Sequence, residues 1–260
     1  MLIDTHCHLD AAEFDGRQDA ILRAARAVGV GALVLPAVER ANFSAVQALC
    51  ARHADCAPAY GIHPMYVNRA QDGDLTVLRE QLAQPDVAAV GEIGLDFFVD
   101  GYDREKQEYW FGAQLELARE FDLPVLLHIR RAQDAVLKHL RRARVAGGIV
   151  HAFNGSRQQA DEFIRLGFKL GFGGAMTYPR ATRLRQLAAE LPLASIVLET
   201  DAPDIPPAFL ARGQANEPKY LPCIAQVLAE LRGISVEEAA QATTENALAV
   251  LPNLRIAAQP

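Results

Sequence analysis

Leu2-Ile3-Asp4-Thr5-His6-Cys7-His8 lies close to the start of the chain and places two histidines two residues apart. In a β-strand alternate side chains share a face, so Asp4, His6 and His8 point to the same side. The two imidazoles therefore converge on one point of a rigid backbone. Such a pair, placed beside carboxylates, is typical of a site for a divalent transition metal.

Short apolar or β-branched runs recur along the chain and predict eight strands. The runs cover residues 2–6, 32–37, 57–62, 87–92, 124–128, 148–151, 168–172 and 196–201. The stretches between them show helical periodicity, as in Ile21, Leu22, Ala25 and Val28. Successive runs leave room for the helical crossover, of roughly a dozen residues or more, that joins parallel strands. Eight such units predict an α/β fold, a TIM-type (βα)8 barrel.

The domain organisation is predicted to be simple. No Ser/Gly-rich linker or change in composition divides the chain, so residues 1–260 are expected to form a single domain. Amphipathic segments at 222–231 and 236–251 follow the last strand. We expect these C-terminal helices to pack outside the barrel.

Charge and cysteine content exclude several classes of protein. A net charge of −6 opposes broad attraction to nucleic acid, although bound cations could still create a narrow site for an anionic substrate. The four cysteines lack C-x-x-C spacing, so reduced thiols are expected. We find no basic segment followed by an apolar run near the start of the sequence, and no apolar run long enough to span a membrane. No obligate protein partner is evident from the sequence. We therefore predict a cytoplasmic protein that does not associate with membranes.

The predicted strand ends carry an unusual number of potential metal ligands. In such a barrel the C-terminal strand ends share one rim, where active sites lie. The residues are His6, His8, Glu92, His128, His151 and Asp201. Six donors are too many for one four-coordinate zinc ion, but they suit two cations that share a carboxylate. The simplest grouping, which spacing alone does not establish, has Glu92 as a bridge between two sets: His6, His8 and Asp201, and His128 with His151.

Several motifs occur in order across nearly the whole chain. They are Asp4-Thr5-His6-Cys7-His8-Leu9-Asp10, Gly61-Ile62-His63-Pro64, Gly91-Glu92-Ile93-Gly94-Leu95-Asp96, Leu123-Pro124-Val125 leading to His128, His151-Ala152-Phe153-Asn154-Gly155-Ser156, Glu199-Thr200-Asp201-Ala202-Pro203 and Asn216-Glu217-Pro218. In this combination the chain resembles the TatD family of metal-dependent deoxyribonucleases, a branch of the amidohydrolase-like barrels. The resemblance implies a two-cation hydrolase with the ligands grouped as above. It further implies cleavage of phosphodiester bonds in DNA from single-stranded ends, as a 3'-5' exonuclease.

The donor set is compatible with zinc, manganese, magnesium, nickel or iron. A water between two such cations would lose a proton near neutral pH. Asp201 is the candidate general base for that water, and Glu92, as the bridge, is the second predicted catalytic residue.

The chain departs from the commoner family pattern in two places. Arg131 stands where many relatives carry an acidic residue, and Gly171-Phe172-Gly173-Gly174-Ala175-Met176-Thr177-Tyr178 follows strand seven. Both features resemble a less characterised branch of metal-dependent hydrolases. An alternative function is therefore hydrolysis of another ester, an amide or a lactone, for example by an aminoacyl ester deacylase. A noncatalytic metal-binding protein is disfavoured, because all six ligand positions carry competent side chains.

Three residues are predicted to contact substrate, each with an alternative. His63 ends a strand and is expected to contact a phosphate or a water, or else to be structural. Arg130 suits bidentate phosphate recognition but would serve equally in a surface salt bridge. Asn154 is expected either to contact substrate or to cap the next helix, and capping by the neighbouring Ser156 is an equal alternative. Asp4 is expected to orient the histidines of the first strand or to pack internally.

Overall fold

The computed structural model describes residues 1–256, so the last four residues of the predicted domain lie outside it. Eight parallel strands follow one another around a single sheet in chain order. Their bounds are β1 Leu2–Asp4, β2 Val30–Pro36, β3 Cys56–Tyr60, β4 Ala89–Asp96, β5 Val125–Arg130, β6 Gly148–Val150, β7 Phe168–Phe172 and β8 Ile196–Leu198. The predicted TIM-type barrel in one domain is thereby confirmed.

The barrel closes between its first and last strands through the residues that follow them. The Thr5 amide donates to the Leu198 carbonyl over 3.1 Å, and the Asp201 amide donates to the His6 carbonyl over 2.9 Å. An isolated parallel bridge also joins Cys7 to Ala202. These contacts form the seam between β1 and β8, and they place His6 and His8, which follow β1, beside Asp201, which follows β8.

Each strand is followed by a helix that packs on the outside of the sheet. The helices are α1 Gln18–Ala27, α2 Phe43–Arg52, α3 Gly73–Leu82, α4 Arg104–Glu120, α5 Gln133–Ala143, α6 Arg157–Arg165, α7 Thr182–Glu190, α8 Leu221–Arg232 and α9 Val236–Val250. Large apolar side chains such as Trp110, Phe163 and Phe168 are buried in the layer between helices and strands. This layer is the larger part of the core.

A second, smaller core lies inside the barrel. Small and branched side chains such as Ile3, Val34 and Leu126 point inward from the strands. Apolar residues at the end of α9, including Val250, belong to the same cluster. Helix α9 thus lies outside the barrel wall and covers the end opposite the strand C-termini, while a cavity opens at the C-terminal rim.

The strands differ from their predicted bounds where the site is built. Strand β1 ends at Asp4, before the histidines, whereas β4 continues past Glu92 to Asp96. Strand β4 is longer because its pairing with β5 resumes after an irregularity between Val90 and Ile93. Glu92 therefore lies within a strand, at this irregularity, and its carboxylate faces the histidines of the rim.

Within residues 1–256 no helix is both long enough and apolar enough to cross a membrane.

Candidate metal centre

The open rim of the barrel brings all six predicted ligands together around the carboxylate of Glu92. One carboxylate oxygen, Oε2, lies 3.3 Å from His6 Nε2 and 3.5 Å from His8 Nε2. The other, Oε1, lies 3.1 Å from His128 Nδ1 and 3.5 Å from His151 Nε2. The two oxygens of Glu92 thus face two different pairs of histidines, the arrangement required of a bridging carboxylate.

The first group of candidate ligands, His6, His8 and Asp201, has the spacing of ligands around one ion. His6 Nε2 and His8 Nε2 are 3.2 Å apart, and Asp201 Oδ1 lies 3.7 Å from each of them. Ligand atoms about 2.0–2.1 Å from a tetrahedral zinc ion are roughly 3.3–3.4 Å from one another. The nitrogen and oxygen atoms of His6, His8, Asp201 and Glu92 approach that spacing, so the donor set fits a divalent cation at their centre.

The second group of candidate ligands, His128 and His151, lies beside two further carboxylates that were not predicted from the sequence as site residues. His128 Nε2 lies 3.0 Å from Asp96 Oδ2, and His151 Nδ1 lies 3.3 Å from Glu199 Oε1. Each carboxylate favours a proton on the outer nitrogen, so the inner nitrogen can offer a lone pair to a cation once its own proton is displaced. A cation between the inner nitrogens and Glu92 would therefore meet neutral imidazole donors.

Both carboxylates could have been recognised from motifs in the sequence. Asp96 is on the same face of β4 as Glu92 because four residues separate them. Glu199 precedes Asp201 by two residues at the end of β8, and Gly171 on β7 leaves the space its carboxylate occupies, since a Cβ there would overlap it. The missing information was the orientation of the histidine rings, which sequence spacing does not define.

The contact between Asp96 and His128 yields a testable prediction. We expect Asp96→Asn to weaken metal binding by about 10- to 100-fold, because the His128 ring loses the acceptor that orients it. Competition with a fluorescent chelator measures this affinity. Asp134→Asn, at an exposed position on α5, is the control and should bind metal like the wild type. Unchanged affinity in Asp96→Asn would refute the orienting role.

His63 also reaches this group, but its hydrogen bonding sets it apart from the ligands. Its Nε2 lies 3.6 Å from Glu92 Oε1, and the Met65 amide donates to its Nδ1 over 3.1 Å. Burial holds the pKa of His63 well below the usual value, so the ring is neutral. Because Nδ1 accepts a hydrogen bond, the single ring proton resides on Nε2. His63 therefore presents an N–H donor to the centre rather than a lone pair.

The electrostatics of the centre reflect a concentration of negative charge among imidazoles. Burial would raise the pKa of Glu92, but the adjacent His63 and His6 hold it well below its usual value. Burial opposes a charge on His8, yet its interaction with Glu92 outweighs that effect and raises its pKa to about 9. For His151 the attraction of Asp201 and Glu199 likewise outweighs burial and raises the pKa to about 10. Within residues 1–256 no Lys or Arg pairs with Glu92 or Asp201.

These pKa shifts predict that metal binding depends on pH. Without a cation His8 and His151 are protonated at pH 7, since pH 7 lies below their pKa values of about 9 and about 10. A cation must displace these protons, so its apparent affinity should rise as the pH is raised from 6 to 9. Calorimetric titration at pH 7 in buffers of different ionisation enthalpy should report roughly two protons released per chain. No proton release, with affinity independent of pH, would contradict this electrostatic description.

Asp4 connects the two strands that carry the first group. Its carboxylate accepts hydrogen bonds from the Thr200 amide (2.9 Å) and hydroxyl (2.6 Å), and it lies 3.4 Å from the His6 amide. Burial raises its pKa to about 7. Asp4 thus orients the backbone on both sides of the seam, within the range of roles expected from its sequence position.

The other predicted substrate contacts line a cavity of about 840 Å³ at the same rim. Arg130 and Asn154 both face this cavity, together with His128, His151 and Asp201. Arg130 forms no salt bridge within residues 1–256, and α6 is capped by Ser156, the alternative to capping by Asn154. Asn154 Oδ1 instead accepts a hydrogen bond from Arg183 over 2.8 Å.

Comparisons with known proteins agree with the fold and with a metal-dependent hydrolase. A family profile described as TatD related DNase matches residues 3–252. The chain is 44% identical to an uncharacterised metal-dependent hydrolase, YjjV of Escherichia coli, over 94% of this chain and 95% of that protein. The crystal structure of YjjV superimposes with a TM-score of 0.93, covering 96% of this chain and 98% of that one. The human protein named deoxyribonuclease TATDN3 is 33% identical, over 98% of this chain and 96% of its own length.

Proposed function

The chain belongs to the TatD family of metal-dependent hydrolases, and from this membership we propose that it is a two-cation phosphodiesterase that removes nucleotides from single-stranded ends of DNA in the 3'-5' direction. The name of the human relative supports this choice of bond, because that protein is called a deoxyribonuclease. The identity of the cations, among zinc, manganese, magnesium, nickel and iron, is left to measurement. A cytoplasmic location stays a prediction.

The proposal rests on the position of the Glu92 carboxylate, whose two oxygens face two different sets of donors. His6, His8 and Asp201 form one cluster whose ligand atoms lie close enough to hold a cation. We infer that His128 and His151, which both lie near Glu92 Oε1, would hold the other, with Glu92 offering one oxygen to each set. Two cations in this position supply Lewis acidity toward a phosphoryl oxygen and lower the pKa of a water molecule. The clusters themselves are consistent with divalent metal binding, and the number two is our inference from the two-sided carboxylate.

Two residues of the chain are proposed to act directly on the reacting groups. Asp201 is 8% exposed and lines the cavity, so it can take the proton of the attacking water as a general base. The Nε2–H of His63 is directed at the same centre and can donate a hydrogen bond to a phosphoryl oxygen as negative charge develops there. In the reaction the water oxygen would bond to phosphorus as its proton passes to Asp201, and the bond to the leaving sugar oxygen would break, with that oxygen taking up a proton from solvent to become a hydroxyl.

The experiment that tests the proposal uses single-stranded DNA labelled at either end. Protein loaded with magnesium, manganese or zinc should shorten 5'-labelled strands progressively, whereas 3'-labelled strands should release labelled mononucleotides at once. Chelator-treated protein and Asp201→Asn are the inactive controls. Absence of cleavage under all three metals would overturn the proposal. Turnover of an aryl ester or a lactone by the same preparation would then favour the alternative bond class.

A further inference from the structure

Two consecutive arginines beside the metal centre share one aromatic ring. The guanidinium carbon of Arg130 lies 3.7 Å from the centroid of Phe98, and that of Arg131 lies 4.4 Å from it. All three side chains line the same cavity as His128 and Asp201. Phe98 is 41% exposed, so solvent or a ligand can reach it and the two guanidinium groups on it.

The backbone is arranged to bring both guanidinium groups to this ring. Arg130 ends β5, where successive side chains point to opposite faces of the sheet. Arg131 then adopts a left-handed conformation with φ of 53°, which breaks the alternation. Such a conformation is unfavourable for a residue with a side chain, and it is found where the surrounding structure imposes it.

Phe98 is held by residues that also contact the candidate metal centre. The amide of Phe98 donates to Asp96 Oδ1 over 2.9 Å, while the other oxygen of that carboxylate faces His128. The Phe97 amide donates to the Arg130 carbonyl over 2.8 Å. Phe98 and Arg130 are therefore held at a defined position relative to the cations proposed at His128.

The charges of the two arginines are not neutralised by the protein. Within residues 1–256 neither Arg130 nor Arg131 has a carboxylate within salt-bridge distance, in contrast to Arg26, which pairs with Asp55 over 2.6 Å. A guanidinium stacked on an aromatic ring is held through its face, so its in-plane N–H donors stay available. Two such groups side by side match the oxygens of a phosphate.

We propose that Arg130 and Arg131, held on Phe98, form a phosphate subsite that binds the substrate phosphate next to the scissile one. This inference rests on the proposed phosphodiesterase function and specifies its substrate class: a chain with at least two consecutive phosphates. A substrate with a single phosphodiester would occupy the metal centre without reaching the subsite. Phe98 is a positioning residue here, because it acts through the two guanidinium groups.

The test compares two substrates in one variant. Arg131→Gln should raise KM for a single-stranded oligonucleotide by about fivefold or more, through loss of a charge-assisted hydrogen bond. Its kcat, and both constants for bis(p-nitrophenyl) phosphate, should stay at wild-type values. Arg144→Gln is the matched control, because Arg144 is also an exposed arginine with a left-handed backbone, but at the opposite end of α5. Equal effects on both substrates, or in both variants, would overturn the subsite.

Binding separates this inference from the proposed function. The metal-loaded protein is titrated with a fluorescent phosphorothioate oligothymidylate, which resists cleavage, at several salt concentrations. Arg131→Gln should weaken binding and lower the slope of log K against log salt by about 0.7, the value for one phosphate contact on a single strand. If DNA is not cleaved but this difference is present, the subsite stands and the nuclease proposal fails. Identical binding by both proteins would overturn the subsite whatever the outcome of the cleavage assay.

Two variants of Phe98 test the positioning role. Phe98→Leu removes the aromatic face and should weaken oligonucleotide binding in the same direction as Arg131→Gln. Phe98→Tyr keeps the aromatic face and should bind the oligonucleotide as tightly as the wild type. Wild-type binding by both variants, or weakened binding by both, would show that the ring does not position the arginines.

Discussion

Glu92→Gln is expected to abolish metal binding and to reduce hydrolysis by about a thousandfold or more, because the metal contribution of several kcal/mol is lost and each 1.4 kcal/mol is a factor of ten. Glu92 directs one oxygen at His6 and the other at His128. A glutamine keeps one acceptor oxygen but replaces the other with an NH2 group, which cannot bind a cation. It also removes a negative charge that lies between the two histidine groups.

Elemental analysis and turnover of the purified variant measure this effect together. Glu237→Gln, at an exposed position on α9, is the control, because that helix covers the opposite end of the barrel. A normal circular dichroism spectrum establishes that the variant is folded. Two ions per chain in Glu92→Gln, with turnover within tenfold of the wild type, would remove Glu92 from the centre.

Asp201→Asn has the second largest expected effect, and it should separate chemistry from metal binding. The asparagine can still offer a carbonyl oxygen near His6 and His8, so we expect a cation to be retained. It cannot accept the proton of the attacking water, and loss of a general base lowers kcat by about 10²- to 10⁴-fold. Single-turnover kinetics on end-labelled DNA, with metal content determined in parallel, measure both properties.

Asp204→Asn is the matched control, since this exposed aspartate lines the same cavity without contacting the histidine groups. Its kcat should stay within about threefold of the wild type, as is usual for a surface substitution that breaks no specific contact. If Asp201→Asn were fully active, another group would have to accept the proton.

The fold, and the meeting of the six candidate ligands at one rim, could be predicted from sequence because two regularities coincide. Apolar runs at crossover spacing predict parallel strands, and parallel strands of a barrel end at one rim. Histidines and acids just after those runs must then be neighbours, whatever their separation along the chain. His6 and Asp201 meet in this way across the seam, although 195 positions separate their numbers.

The remaining features depend on the orientation of side chains, which residue spacing does not determine. Asp96 and Glu199 lie within quoted motifs, but their roles follow only from which nitrogen of His128 and His151 faces inward. His63 is similar, because its hydrogen bond from the Met65 amide is what makes it a donor. The left-handed backbone of Arg131 likewise has no sequence signal, since arginine has no preference for it.

Anomalous diffraction from crystals grown with zinc or manganese tests the central claim most directly. We expect two peaks per chain, one on either side of the Glu92 carboxylate: one beside His6, His8 and Asp201, and the other beside His128 and His151. A single peak, or peaks that Glu92 does not touch, would contradict a two-cation centre organised by this residue.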